Sequence, residues 1–333
     1  MTHSQPYGLK AYTGCLLGLA VGDALGTSVE FQAPHSFSPL TDMIGGGFFE
    51  LTAGQWTDDT SMALCLAESL ITKQAFDPVD QMERYLLWYQ QGHLSSTDKC
   101  FDIGNTVLNA LKTFEKTREP YCGLTDIQAA GNGSLMRLAP VPLFYAYNPL
   151  NAIQYAANSS QTTHATRTAV DACRFFAGLL IGALQGESKT TLLSTRYCPL
   201  ADYWHTYPLA PEIDAIACGS YKQKIPPPPS VVKHWSEIEN NRYIRGTGYV
   251  VNSLEAALWA FYHTETYTDG VLKAVNLGDD ADTTGAIYGQ LAGAFYGETA
   301  IRPDWLAKLA HRKRITDYAT QLATLAWQRQ YPS

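Results

Sequence analysis

Two short acidic runs, far apart in the chain, carry the residue types most able to do chemistry. The first is Gln55-Trp56-Thr57-Asp58-Asp59-Thr60-Ser61 and the second is Leu277-Gly278-Asp279-Asp280-Ala281-Asp282-Thr283-Thr284-Gly285. Each leads into an apolar run, MALCLAESLI in one case and AIYGQLAGAFYG in the other, and so reads as a helix start. A helix N-terminus favours one acid or hydroxyl through capping and the macrodipole. Asp58 beside Asp59, and three acids packed into positions 279–282, exceed that need. Side-chain oxygens crowded this densely repel one another unless a cation lies between them. All the donors are oxygen, which suits Mg²⁺, Mn²⁺ or Ca²⁺ and disfavours Zn²⁺ or copper. If the two runs meet in space, their carboxylates require more than one cation. Two metals about 3.5 to 4 Å apart can activate a water while orienting an oxygen-rich substrate.

Three other features could do chemistry or could be ordinary. Glu30 lies between apolar neighbours and is either a surface acid or a site acid. Gly131-Asn132-Gly133-Ser134 is a tight turn that either serves only as a turn or cradles an anion with its backbone N–H groups. His164 stands before the run RTAVDACRFFAGLLIGAL, where a histidine is either structural or functional. The chain has no HExxH, no His-Asp doublet and no P-loop pattern, which removes the zinc protease, the His-Asp phosphohydrolase and the P-loop NTPase.

The elements that position these residues read as helices. Residues 8–25 place Leu9, Tyr12, Leu16, Leu19 and Ala20 at helical spacing, with Gly14, Gly18 and Gly22 on a four-residue repeat. Glycine in a helix costs about 1 kcal/mol relative to alanine, so this repeat predicts a tightly packed, buried face. Further helices are expected after Thr57, over 79–90, from about Ile103 with Asp102 as its N-cap, over 167–184, from about 250, and over roughly 304–311 and 314–329. Residues 186–245, with the tetrad Pro226 to Pro229, predict a loop-rich surface excursion rather than a linker. Alternating strand patterns are scarce, so the fold class is all-α, and the length allows one large or two ordinary domains.

Composition narrows the class. At 333 residues with 46% apolar content the chain can bury a large core. A net charge of −7, with His311-Arg312-Lys313-Arg314 as the one basic cluster of note, argues against a nucleic-acid partner. The 7 cysteines form no CxxC pair and suit free, buried thiols. No secretory leader or membrane-length run is evident, so a cytoplasmic protein without a membrane partner is expected.

With these residues placed, the chain resembles the ADP-ribosylglycohydrolase family, nearest to the dinitrogenase-reductase-activating, arginine-directed branch. The matching segments are GCLLGLAVGDALGTSVEF, WTDDTSMALCLAESL, SSTDKCFDIGNT, GNGSLMRLAPV, THATRTAVDAC, GTGYVVNSLEAALWAF and LGDDADTTGAIYGQLAGAFYG, in the family's order over residues 14–297. The resemblance implies a single domain over 1–333, folded as a compact orthogonal multi-helix bundle, with a dinuclear Mg²⁺ or Mn²⁺ centre. It implies metal ligands at Thr57, Asp58, Asp59, Asp280, Asp282 and Thr283. Asp279 stands where the family commonly has glycine and is left out of that set. The same resemblance implies catalytic roles for Glu30, Asp102 and Asp280. Glu30 would gate the site or accept a proton, and Glu30 or Asp102 acting through a water could protonate the leaving guanidine. Asp102 and Gly104 would face the distal ribose, Gly131, Asn132, Gly133 and Ser134 the diphosphate, and His164 and Tyr249 would line the cleft as stacking rings. The implied activity is metal-dependent removal of ADP-ribose from an ADP-ribosylated protein, most naturally at arginine, with ADP-ribose as product. Cleavage of serine-linked or small-molecule ADP-ribose, and a non-catalytic binding or immunity protein, are the alternatives.

Overall fold

A computed structural model describes residues 8–229 and 242–331. Among them are fifteen α-helices and no strand, only isolated bridges, in agreement with the all-α expectation. In chain order the helices are α1 (Leu9–Gly26), α2 (Asp58–Lys73), α3 (Pro78–Gln91), α4 (Asn105–Thr117), α5 (Pro140–Phe144), α6 (Pro149–Gln161), α7 (Arg167–Leu184) and α8 (Lys189–Leu192). They continue with α9 (Tyr203–Thr206), α10 (Pro211–Ala217), α11 (Val250–Tyr262), α12 (Tyr267–Val275), α13 (Ala281–Tyr296), α14 (Pro303–Lys308) and α15 (Arg312–Gln330).

The central contact joins the two ends of the sequence. The glycine repeat of α1 lies antiparallel on a matching repeat of α13, backbone against backbone. A Cβ added at Gly14, Gly18 or Gly22 would fall 2.3, 2.3 and 2.0 Å from the carbonyl oxygens of Gly293, Gly289 and Gly285. The reverse holds too, at 1.9 to 2.4 Å from Gly14, Gly18 and Gly22. No side chain fits there, which is why the helical cost of glycine is accepted on both helices. The antiparallel run has a functional consequence: the C-terminal end of α1, carrying Asp23 and leading to Glu30, is set beside the N-terminal end of α13, carrying Asp282.

Around this pair, α15 packs on α1, α2 and α5, while α7 packs on α6, α11 and α13. Trp56, Trp88, Trp305, Tyr12, Phe114, Phe176 and Phe261 are fully buried. All seven cysteines are free, and Cys15, Cys65 and Cys173 are buried on α1, α2 and α7. The stretch 186–245 holds the short helices α8, α9 and α10, but it is docked rather than merely superficial: Trp204, Ile213, Ile216 and Tyr221 are buried, and α10 packs on α7. His35 Nε2 donates to the Pro227 carbonyl at 2.6 Å, tying the proline tetrad to the loop after α1. Residues 230–241 of that stretch lie outside the described residues. No helix among the described residues is long and apolar enough to cross a membrane.

Candidate active site

The acidic runs meet. Thr57 and Asp58 begin α2, Asp280 and Asp282 begin α13, and neither run caps its helix with a side chain, so capping does not account for them. Thr57 Oγ1 lies 3.0 Å from Asp23 Oδ1 and 3.3 Å from both Asp59 Oδ2 and Asp282 Oδ2. One hydroxyl proton cannot serve three carboxylates. Thr283 Oγ1 approaches Asp59 Oδ2 at 3.5 Å. Carboxylate oxygens of Glu30, Asp280 and Asp282 lie within 4.8 Å of one another. Asp59 Oδ1 and Glu30 Oε2 are buried without a hydrogen-bond partner. An all-oxygen set with orphaned, buried carboxylate oxygens fits a hard divalent cation.

Glu30, Asp58, Asp102, Asp280 and Asp282 line a cleft of about 260 Å³ together with Gly104, Gly131, Gly133 and His164, whereas Asp23, Thr57 and Asp59 are not among its lining residues. No lysine or arginine lines it among the described residues. Burial and neighbouring carboxylates push Glu30, Asp58, Asp59, Asp102 and Asp282 up. Glu30 reaches about 10 through burial, then Asp102 and Asp280, and Asp102 reaches about 8 through burial, then Asp280 and Asp23. Asp58, Asp59 and Asp282 are raised well above the ordinary carboxylate range, burial being the largest cause in each. Hydrogen bonds from Asp282 to Glu30 and to Asp102 work against these shifts.

Such shifts fix the sign of a pH effect. A carboxyl whose folded pKa exceeds its unfolded value keeps its proton over a window in which the unfolded chain has lost it. Cation-free stability therefore falls as pH rises from the ordinary carboxyl range through about 8 and 10, the values of Asp102 and Glu30. A cation competes with these protons. The gain in melting temperature on adding Mg²⁺ or Mn²⁺ is expected to be larger at pH 8 than at pH 6, and equal gains in thermal melts at the two pH values would contradict this.

Asp23, read from the sequence only as part of a helix end, anchors the first acidic run. It is fully buried and accepts from the Thr57 amide and hydroxyl at 2.9 and 3.0 Å and from the Thr60 amide and hydroxyl at 3.0 and 2.6 Å. Burial raises its carboxyl to about 6, against the lowering effect of those bonds. Its signal in the sequence was a carboxylate inside an otherwise apolar, glycine-rich helix. Asp102 is not the N-cap of α4. Gly104 takes that position, and Asp102 sits at φ 59°, which turns it into the cleft. Asp279 adopts φ 56° and pairs with Arg245 at 2.9 Å. That left-handed backbone accounts for glycine being the easier residue there.

The other wall is the turn at 131–134. Asn132 N donates to Gly248 O at 3.1 Å and Val250 N to Ala130 O at 3.0 Å, so the turn pairs with the segment before α11. Asp280 N donates to Gly246 O at 2.8 Å, and Asn132 Nδ2 donates to Asp280 Oδ2 at 2.8 Å, linking the turn to the acids. From behind, Gln290 of α13 donates to the Leu135 and Met136 carbonyls at 3.2 and 2.7 Å. Arg137, fully buried, donates to Gly133 O at 2.7 Å and to Thr163 Oγ1 at 2.6 Å.

His164 fills the space under the turn, so that a Cβ on Gly133 would come within 2.9 Å of its ring. It is 2% exposed, and burial followed by Arg137 pushes it down to about 3, so the ring is neutral. Thr163 Oγ1 lies 2.8 Å from His164 Nδ1. Arg137 donates to that same hydroxyl, so Thr163 ties the His164 ring to the guanidinium that holds the turn. Nε2 is the ring atom nearest the Gly131 Cβ position, toward the cleft. The Ser134 hydroxyl is buried behind the turn, accepting from Ser160 at 2.8 Å. Tyr249 is 38% exposed and is not among the cleft-lining residues; its backbone bridges to Gly131. Phe31, Asn105, Thr106, Val107 and Met136 also line the cleft and carry no chemical signature in the sequence.

Comparison with known proteins identifies the family. A profile of the ADP-ribosylglycohydrolase family matches residues 5–332. The chain is 39% identical over 313 residues to the ADP-ribosylarginine hydrolase Tri1 of Serratia proteamaculans, covering 94% of this chain and 79% of the relative. It is 30% identical over 303 residues to the ADP-ribosyl-[dinitrogen reductase] glycohydrolase of Rhodospirillum rubrum, covering 89% of each. A solved structure described as an ADP-ribosylglycohydrolase-related protein complex superposes with a TM-score of 0.80 at 39% identity, covering 96% of this chain and 98% of that one. The acids that α1 and α13 bring together thus lie in a chain that belongs to the ADP-ribosylglycohydrolase family of hydrolases, as its motifs imply.

Proposed function

We propose that the protein removes ADP-ribose from ADP-ribosylated protein at arginine, and that it requires two divalent cations, Mg²⁺ or Mn²⁺. One observation carries this reading: an all-oxygen acidic cluster and a histidine-backed glycine turn share one cleft. The 39% identity to an ADP-ribosylarginine hydrolase supports arginine as the linkage. Thr57, Asp58, Asp59, Asp280, Asp282 and Thr283 would hold the cations. When bound, such ions offset the crowded carboxylates, bind ribose hydroxyls and lower the pKa of water.

The chain's own residues do the rest. The backbone N–H groups of the Gly131–Ser134 turn offer donors to a diphosphate, with the His164 ring packed against the turn. Asp280, oriented by Asn132, and its neighbouring carboxylates stabilise the positive charge that develops at the anomeric carbon. Glu30 and Asp102 line the cleft beside the other carboxyls, and either could pass a proton through a water to the departing guanidine.

The test is release of ADP-ribose from peptides modified at arginine or at serine, with Mg²⁺, with Mn²⁺ and with a chelator. Release from the arginine peptide that a chelator abolishes is expected. Release from the serine peptide alone would move the linkage, and no release from any substrate with metal present would end the hydrolase reading.

A further inference from the structure

Four phenylalanines stand together at the acid end of the cleft. Phe31, which follows Glu30 and lines the cleft, meets Phe48 edge to face at 5.4 Å and Phe49 at 6.2 Å. Phe49 meets Phe48 at 5.1 Å and Phe101, the residue before Asp102, at 5.2 Å. Phe48 is 72% exposed and Phe31 61% exposed. Contiguous apolar surface of this kind marks a binding surface more often than scattered exposed residues do.

The rings are held in place by the backbone. Gly46 and Leu51 exchange hydrogen bonds of 2.7 and 2.9 Å, closing the turn that carries Phe48 and Phe49. That turn lies against the end of α1 so closely that a Cβ on Gly47 would come within 2.1 Å of the Thr27 carbonyl oxygen. Phe31 itself has φ 62°, a left-handed conformation that is unfavourable for a bulky aromatic residue. It is fixed there by its amide donating to Asp279 O at 2.7 Å, while the Asp279 amide donates to Gln32 O at 2.8 Å. Strain is thus maintained to present an aromatic side chain to solvent beside a site acid.

We infer that this rim binds an apolar side chain of the polypeptide that carries the modified arginine, at a position flanking it. The inference rests on the function proposed above and adds a preference for modified protein over the free ADP-ribosylated amino acid. In that reading the diphosphate takes the turn at 131–134 and the bond to be cut lies at the carboxylates. The rings adjoin Glu30 and Asp102 in sequence, at the end where the arginine and its polypeptide emerge. An aromatic surface continuous with the cleft at that end is placed to receive a flanking residue of the polypeptide, whereas free ADP-ribosylated arginine has no such residue to offer.

Steady-state kinetics of Phe48→Ala on two substrates of one linkage test this: a polypeptide with an apolar residue next to the ADP-ribosylated arginine, and ADP-ribosylated free arginine. Phe48 suits the test because it is largely exposed and does not line the cleft. The KM for the polypeptide is expected to rise about ten-fold with kcat unchanged, the effect of losing one aromatic contact made equally in ground and transition states. Turnover of the free amino-acid conjugate should stay within about two-fold of wild type, and Phe48→Leu should recover most of the affinity. Equal losses on both substrates would assign the rim to ADP-ribose itself, and wild-type kinetics on both would make it inert; either result overturns the inference and leaves the hydrolase reading standing. Wild-type protein that cleaves neither substrate overturns that reading and this inference with it.

Discussion

Replacing Asp282 with asparagine is expected to slow ADP-ribose release about a thousand-fold while raising the melting temperature of the cation-free protein. The opposite signs follow from one geometry. Asp282 is 1% exposed, accepts from the Thr283 amide at 2.8 Å and lies 3.3 Å from the Thr57 hydroxyl. Its carboxyl is driven up by burial first and then by Glu30, Asp59, Asp102 and Asp280. Asparagine keeps an oxygen for the Thr283 amide, is neutral at every pH without having to take up a proton, and still offers N–H donors to the neighbouring carboxyls. A cation loses a ligand by the same change. Thermal melts with chelator, calorimetric Mn²⁺ titration and initial rates would separate the effects. A variant that is both inactive and less stable would mean that Asp282 is an ordinary structural acid.

The second large effect concerns Gly22→Ala, expected to cost about 3 kcal/mol or more. The added methyl would lie 2.0 Å from Gly285 O and 2.3 Å from Gly285 C, so α1 and α13 must separate. Because backbone, not a flexible side chain, is in the way, no rotamer relieves the overlap. The separation would also part Asp23, the next residue, from the segment that holds Asp282. Gly8→Ala is the control, since a Cβ there meets nothing within 4 Å. Denaturant midpoints should fall sharply for the first variant and stay put for the second, and an unchanged midpoint for Gly22→Ala would show slack that the helix pair is argued not to have.

Local pattern reveals some of this architecture and hides the rest for identifiable reasons. The repeat at Gly14, Gly18 and Gly22 announces a close packing face, because glycine inside a helix has little other justification. The partner repeat at Gly285, Gly289 and Gly293 is also visible, but nothing local states that the two repeats join. Doubled acids at Asp58 and Asp59, and again at Asp280 and Asp282, stand out because they exceed what a cap needs. Asp23 is marked only as a lone acid in an apolar, glycine-rich helix, and nothing local names its partners Thr57 and Thr60, which lie 34 and 37 residues away. Asp102 reads as an N-cap because Asp before a helical run usually is one. Only the backbone, with its φ of 59°, shows that it belongs to the cleft. The helices α6 and α12 begin with side-chain caps from Asn148 and Thr266, ordinary start signals that carry no chemistry and draw no attention to themselves.

The pairing of α1 with α13 also sets a timetable for synthesis. α1 leaves the ribosome first, and its partner follows about 250 residues later. At roughly 5 to 20 residues per second this leaves the glycine face of α1 without its partner for about 10 to 50 s. During that interval the growing chain carries Asp23, Asp58 and Asp59 without Asp280 or Asp282, so it has half an acid cluster. A chain that stops before Asp280 therefore has both an uncovered helix face and an incomplete centre, so the loss of packing and the loss of the acid cluster have one cause.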